Sequence, residues 1–454
     1  MPTWLACKEH RAEPEQPREF YSVNSGNGPM SYKTVEHCRI CGGDRLDPII
    51  HLGDQALTGV FPRSRDEYVE SGPLELVKCD TSAGGCGLVQ LRQSYNPESM
   101  YGDNYGYRSG LNQSMVQHLT RRAERALAIA QPEPGSLILD IGSNDGTTLR
   151  AYPATRFELA GMDPTGKKFA RYYPSHVTLI PEFFSAAAFR QAFPGRQAAI
   201  VTSLAMFYDL ETPQAFMREI HEILADDGVW VFEQSYLPSM LSQLAYDTIC
   251  HEHLSYYALR QIKWMTDRCG FRILDVELND ANGGSFCVTV AKTSSKHDSN
   301  DRQVDDLLWA EEDAGLGTDR PFATFRDAVT RHRDELCDFV RGETAGGKSV
   351  FGYGASTKGN VLLQYCNFTP EEIVAIAEVN EEKFGCFTPQ TLIPILSEAD
   401  VRRQKPDYML VLPWHFRNGI VRREAAYLAG GGKLVFPLPT LETVATPAPV
   451  RTAA

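Results

Sequence analysis

The sequence predicts an α/β protein built from two Rossmann-like units preceded by a small cysteine-bearing unit. Three observations predict it. SLILDIGSNDGTTLR at 136–150 and GKSVFGYGASTKGNVLLQY at 347–365 each read as an apolar strand, a glycine turn and a helix start. Upstream of both, CRICGG at 38–43 and CDTSAGGCGLVQL at 79–91 place four cysteines in two glycine-assisted loops. At 454 residues the chain also exceeds the ~250–300 residues at which a single core stops growing, so several domains are expected.

The cysteine unit comes first. Cys38 and Cys41 are two residues apart, the spacing that lets two thiolates meet one tetrahedral ion, and Cys79 with Cys86 closes a wider second loop. Four thiolates leave no open position for substrate, so the expectation is structural Zn2+ held by Cys38, Cys41, Cys79 and Cys86. The 11 cysteines of the whole chain, without a secretory signal, favour free thiols and a metal site over a disulfide framework.

The turn at 136–150 is the centre of the chemistry. Gly142 and Gly146 frame Ser143, Asn144 and Asp145 after a strand carrying Asp140, and positive-φ glycines let a ligand approach the backbone. Their G-x-x-x-G spacing is not the G-x-G-x-x-G that a pyrophosphate wants. A second strand, FELAGM, ends at Asp163, placed to accept hydrogen bonds from ribose hydroxyls. Together these residues resemble the S-adenosylmethionine site of class I methyltransferases. In that frame Glu182 and Phe183 border an adenine, and Ser203 ends the next strand before the loop AMFYDLE with Tyr208. GVWVFEQSYL is a further strand with Gln234 at its mouth, and runs at 271–278 and 284–290 close the sheet as a hairpin.

Three other stretches carry candidate chemistry. Tyr101, Tyr105 and Tyr107 lie among glycines rather than at helical or strand spacing, which suits a ligand-facing role. His251, Glu252 and His253 in CHEHLSYY can move protons near neutral pH, but as consecutive residues they make a poor metal cluster. In the C-terminal turn, Gly354, Ser356, Thr357, Lys358 and Asn360 suit a substrate phosphate, although the order is not that of a Walker loop; Trp414 and His415 stand at the mouth of a later strand.

Taken in order, CRICGG, CGLVQL, DIGSNDGTTL, CHEHLSYY and GYGASTKGN through LVLPWHF resemble the sugar C-methyltransferases that act on nucleotide-linked 4-keto deoxysugars. The resemblance covers nearly the whole chain. It implies a zinc-binding domain, placed at 33–110, a methyltransferase domain at 111–293 and a substrate-binding α/β domain at 322–454; the polar, aperiodic composition of 1–32 reads as a flexible tail and the charged, apolar-poor stretch 294–321 as a linker. It also implies Glu252 and His253 beside the sugar with His253 as base, and Tyr105 or Tyr107 approaching the same sugar. Two positions depart from the family pattern: Cys250 replaces a tyrosine two residues before the glutamate, and AMFYDLE replaces a segment bearing Asn and His.

The expected reaction is methylation of the carbon next to a ketone through an enolate, with S-adenosylmethionine as donor and a nucleotide-linked keto sugar as small-molecule substrate. The rival readings are an O- or N-methyltransferase on the same cofactor domain, a non-catalytic assembly protein, and a nucleotide-sugar dehydrogenase that would lack a ribose acid in its C-terminal turn. A formal charge of −13 argues against nucleic acid as partner. No run of about 18 apolar residues points to a membrane, and cytoplasm is the default expectation; the residues do not fix the oligomeric state, for which a monomer is favoured.

Overall fold

The computed structural model describes residues 32–100 and 107–445. The tail expected over 1–32 therefore lies outside the described residues except for Tyr32. Three principal sheets organise the chain.

The first is antiparallel, in the order Ser255–Tyr256, Val89–Leu91, Ser71–Cys79, Leu46–Ala56. Its outer strand is not local. Ser255 pairs with Gln90 and Tyr256 with Val89, so the residues just after His253 complete the sheet of the cysteine unit.

The central sheet has seven strands, ordered Phe271–Asn279, Ser285–Lys292, Leu224–Ser235, Ala198–Leu204, Leu137–Ile141, Glu158–Met162 and Val177–Ile180. Its last five strands are parallel and the first two form the expected antiparallel hairpin. Alternate residues divide between its two faces. Ile138, Leu159, Ile200 and Val231 meet Ala123 and Ala126 of helix Gln113–Ala130, while Leu139, Val201 and Trp230 join Phe216 and Met217 of helix Pro213–Ile223. Coverage on both faces explains why these strands are nearly continuous apolar runs.

One expectation fails beside Gly146. Instead of a helix, only a single 3-10 turn, Leu149–Ala151, follows the glycines. Pro153 disfavours helical backbone at Tyr152, which is extended at φ −83° and ψ 140°.

The third sheet runs Ile395–Ser397, Ile376–Glu378, Val350–Tyr353, Tyr408–Val411, Lys433–Phe436, Glu442–Val444, parallel except for its last pair. Ser356 caps helix Thr357–Tyr365, its hydroxyl accepting from Gly359 N at 3.0 Å. Helix Asp301–Asp313, inside the stretch expected to link two domains, is tied to the central unit: Glu311 accepts from Tyr236 Oη (2.8 Å), Leu259 N (2.6 Å) and Arg260 N (3.0 Å). Among the described residues no helix is long and apolar enough to cross a membrane.

Candidate active site

The four knuckle sulfurs lie within 4.8 Å of one another, with Cys38 Sγ to Cys86 Sγ and Cys41 Sγ to Cys79 Sγ both 3.5 Å. A zinc ion about 2.3 Å from each sulfur requires a mutual spacing of about 3.8 Å, so the thiols fit it. Gly85 is obligatory here, because a β-carbon would collide with Cys79 Sγ and the Asp80 carbonyl.

At the central glycine turn, Gly142, Asn144 and Gly146 all have positive φ, and the turn is held from beneath by acids. Asp163 Oδ2 accepts from Asn144 N at 2.7 Å, while its Oδ1 accepts from Thr165 N (2.7 Å) and Oγ1 (2.6 Å). Asp140 faces inward: its Oδ1 accepts from Thr202 Oγ1 at 2.5 Å, and burial pushes its carboxyl up to about 7. Ser143 Oγ is 2.8 Å from Tyr173 Oη, which donates to Asn144 O at 2.9 Å, so the tyrosine buttresses the turn. Residues 107–110 cross the top of the turn. Ser109 N donates to Asn144 Oδ1 (3.0 Å), Gly110 N to Asp145 Oδ2 (3.0 Å), and Asn144 Nδ2 to Tyr107 O (3.1 Å). Met206 covers the turn from the other side, 3.1 Å from where a Gly142 β-carbon would stand.

The C-terminal turn repeats the device. Glu378, at the end of its second strand, accepts from Ala355 N at 2.8 Å and, through its other oxygen, from Val379 N and Asn380 N. An acid expected to be missing there is thus present, and it serves the turn itself.

Glu252 and His253 lie where the three sheets converge. His253 Nδ1 donates to the Thr248 carbonyl at 2.8 Å, which leaves Nε2 as the lone-pair nitrogen. Burial first, and the Lys358 ammonium second, push this imidazole down to about 3, so it is neutral near pH 7. The Tyr208 ring packs against it, ring centres 4.3 Å apart and planes tilted by 59°. Glu252 is buried, its carboxyl raised by desolvation, and a β-carbon on Gly59 would stand 2.5 Å from its Oε1 and 3.8 Å from Thr357 Oγ1. Gly59 of the cysteine unit thus lies close to a side chain of each of the other two units.

Lys358 Nζ donates to Asn282 O at 2.7 Å and lowers the proton affinity of both His253 and His415. Asp247 Oδ2 accepts from Trp414 Nε1 at 2.7 Å, and Asn360 Nδ2 donates to Thr58 O at 2.8 Å. Around this junction Thr58 Oγ1, Asp247 Oδ1, Glu252 Oε2, Asn360 Oδ1 and His415 Nδ1 are buried without a hydrogen-bond partner among the described residues. Each such group costs about 1–3 kcal/mol when unpaired, so their concentration makes this junction the candidate for a polar ligand. Gln234, at the end of its strand, leaves both amide atoms in the same condition.

Several expected site residues do other work. His251 points away from His253: it is fully buried, Nε2 donates to Gln55 O at 3.1 Å, and its ring meets Tyr95 edge-on at 4.6 Å. The backbone turns at His251–Glu252, so the two rings leave it in different directions. Ser203 accepts from Trp230 Nε1 at 2.9 Å inside the core, and Ser356 is occupied as a helix cap. Glu182 and Phe183 are exposed beyond the end of their strand, and the Tyr107 side chain is 48% exposed. Tyr101 and Tyr105 lie outside the described residues. Asp247, Thr248, Gly59, Asn282 and Tyr173 carry no motif that singles them out in the sequence. Asp247 and Thr248 do stand in the same stretch as the histidines, and that proximity is the one signal that could have found them.

Family models match in three consecutive segments: a zinc binding domain at 38–101, a methyltransferase domain at 111–276 and a C-methyltransferase C-terminal domain at 280–439. The class is therefore an S-adenosylmethionine-dependent methyltransferase carrying its own zinc unit. C-methyltransferase NovU of Streptomyces niveus is 30% identical over 416 residues, covering 90% of this chain and 96% of that protein. The chain belongs to the C-methyltransferase family. Among solved structures, the plantazolicin methyltransferase BpumL with SAH is 12% identical over 40% of this chain and 87% of its own, at a TM-score of 0.33. The CurJ carbon methyltransferase is 14% identical over 40% and 56%, at 0.31. Likenesses this slight carry no argument.

The site makes two outcomes testable. Purified protein is expected to hold one zinc per chain by elemental analysis, and Cys79→Ser to lose it with a Tm lower by several degrees. Zinc retained at full stoichiometry in that variant would contradict the ligand set. The buried histidines also fix a pH dependence. His251 is pushed down to about 4 by burial, so between there and its ordinary 6.5 the unfolded chain binds a proton that the folded chain does not. Its contribution to stability is therefore lost as pH falls. From about pH 7.5 to about 5 the native protein loses about 2 kcal/mol through this residue, and His251→Asn is expected to remove that share of the slope in urea titrations.

Proposed function

We propose that this enzyme methylates the carbon alpha to the ketone of a nucleotide-linked 4-keto deoxysugar, by way of an enolate. The observation that carries the reading is the neutral, Nδ1-anchored imidazole of His253 in a buried junction lined by unpaired polar atoms. S-adenosylmethionine supplies an electrophilic methyl group on its sulfonium sulfur. Its binding residues are proposed as the Gly142–Gly146 backbone, the side chain of Asn144, and Asp163.

His253 Nε2 removes the alpha proton, and Glu252 orients the sugar beside it. A base held near 3 is a weak acceptor, so its setting must change when substrate arrives. A diphosphate brought to Lys358 offsets the positive charge that depresses the imidazole, raising its basicity when substrate is in place. Thr357 and Lys358 are proposed to meet that diphosphate, with Trp414 and His415 walling the same junction. The family resemblance supports a hydrogen bond from the hydroxyl of Tyr105 or Tyr107 to the developing enolate. Alignment of the carbon with the methyl group depends on all three units, because each contributes a wall.

The test is exchange at the alpha carbon. In deuterated water, with a nucleotide-linked 4-keto-6-deoxyhexose and no methyl donor, the native enzyme is expected to introduce one deuterium; His253→Asn should reduce the rate by about 100-fold or more. Methyl transfer by the native enzyme with no exchange under any condition would rule out the enolate.

A further inference from the structure

Arg39 sits inside the cysteine knuckle, between Cys38 and Ile40, and is not a metal ligand. Its side chain is only 2% exposed, and its hydrogen bonds lie beyond the knuckle. Nη1 donates to Leu91 O at 2.5 Å and more weakly to Leu254 O at 3.4 Å, while Nη2 donates to Gln93 O at 3.2 Å and Ser94 Oγ at 2.6 Å. Nε lies 3.5 Å from Glu211 Oε2. A structural metal needs none of these contacts. A buried guanidinium is costly to desolvate, and here five groups compensate it.

Two of the five flank the proposed base. Leu254 follows His253, and its carbonyl also receives Leu91 N at 3.0 Å, while its own N–H donates to Tyr208 O at 3.0 Å. Tyr208 carries the ring packed at a tilt against His253, and Glu211 ends the same loop three residues later. Arg39 thus touches both the backbone after the imidazole and the loop that carries the ring packed against it. Gln90 adds to the link, accepting from Arg39 N at 2.9 Å and pairing with Ser255.

We propose that Arg39 is a positioning residue for the proton-transfer step, setting the His253 imidazole through Leu254 and the Tyr208–Glu211 loop. The proposal rests on His253 being the base, but its first test does not. The knuckle then has a second task besides folding, since whatever fixes Cys38 and Cys41 also fixes the arginine between them.

The test uses the full chain with histidine labelled at Cε1, the His253 resonance being assigned by its loss in His253→Asn. In the native protein this imidazole, enclosed by Lys358, Tyr208, Thr248 and Cys250, should stay neutral between about pH 8 and about 5. Arg39→Met is expected to keep one zinc per chain yet give a His253 titration moving toward the ordinary value of 6.5. Its kcat on a nucleotide-linked 4-keto-6-deoxyhexose should fall about 10- to 100-fold with KM changed less than about threefold, and Arg39→Lys should recover part of the loss. A zinc-replete Arg39→Met with native kcat and native His253 titration overturns the proposal. If Arg39→Met does not fold, Glu211→Gln, altering a half-exposed partner, must move the same resonance in the same direction, and an unmoved resonance counts against the proposal. Should His253→Asn retain full turnover while Arg39→Met still shifts the resonance, the base assignment fails and the positioning stands.

Discussion

Ser255 and Tyr256 hydrogen-bond to the strand Val89–Leu91, and most of the site's geometry depends on that short pairing. It makes the residues after His253 the outer strand of a sheet that otherwise belongs to the cysteine unit. The Glu252–His253 segment is therefore clamped at its exit by one unit. On its other side Asp247 accepts from Trp414, and Gly59 stands close to both Glu252 and Thr357, so the C-terminal unit meets the same segment. Chain separation is overcome by sheet formation and buried polar contacts rather than by sequence proximity.

That enclosure also sets the electrostatics. Burial holds His253 and His415 neutral and raises Glu252 and Asp247 toward their protonated forms, while the Lys358 ammonium stands among them. A buried junction holding the Lys358 ammonium favours an anionic partner, and a neutral imidazole beside it is available to accept a proton. The two glycine turns on either side share one construction, an acid at the end of the second strand gripping the turn backbone: Asp163 on Asn144 N, Glu378 on Ala355 N. In both, the carboxylate first shapes the loop, and only a shaped loop can receive a ligand.

Much of the fold is legible in the sequence because its signals are periodic or chemical. The strands Leu137–Ile141 and Val350–Tyr353, the closing hairpin and the four-cysteine cluster all follow from apolar runs, glycine turns and thiol spacing. Less legible are features set by a distant partner. A two-residue strand has no period, so the excursion of Ser255–Tyr256 into another sheet carries no signal. The helix expected after Gly146 is cut short by Pro153, a local breaker that outweighs the glycine-turn pattern before it. His251 and His253 look equivalent in sequence, yet the local backbone turns one toward Gln55 and the other toward Thr248. Arg39 looks like a spacer between ligands because only the fold brings Leu254 and Glu211 to it.

The most direct measurement is the position of the transferred methyl group. With S-adenosylmethionine labelled at its methyl carbon and a nucleotide-linked 4-keto-6-deoxyhexose, product NMR reads which atom bears the label. The account predicts a methyl on ring carbon, its protons correlated with the neighbouring ketone. A methyl bonded to oxygen or nitrogen would contradict it.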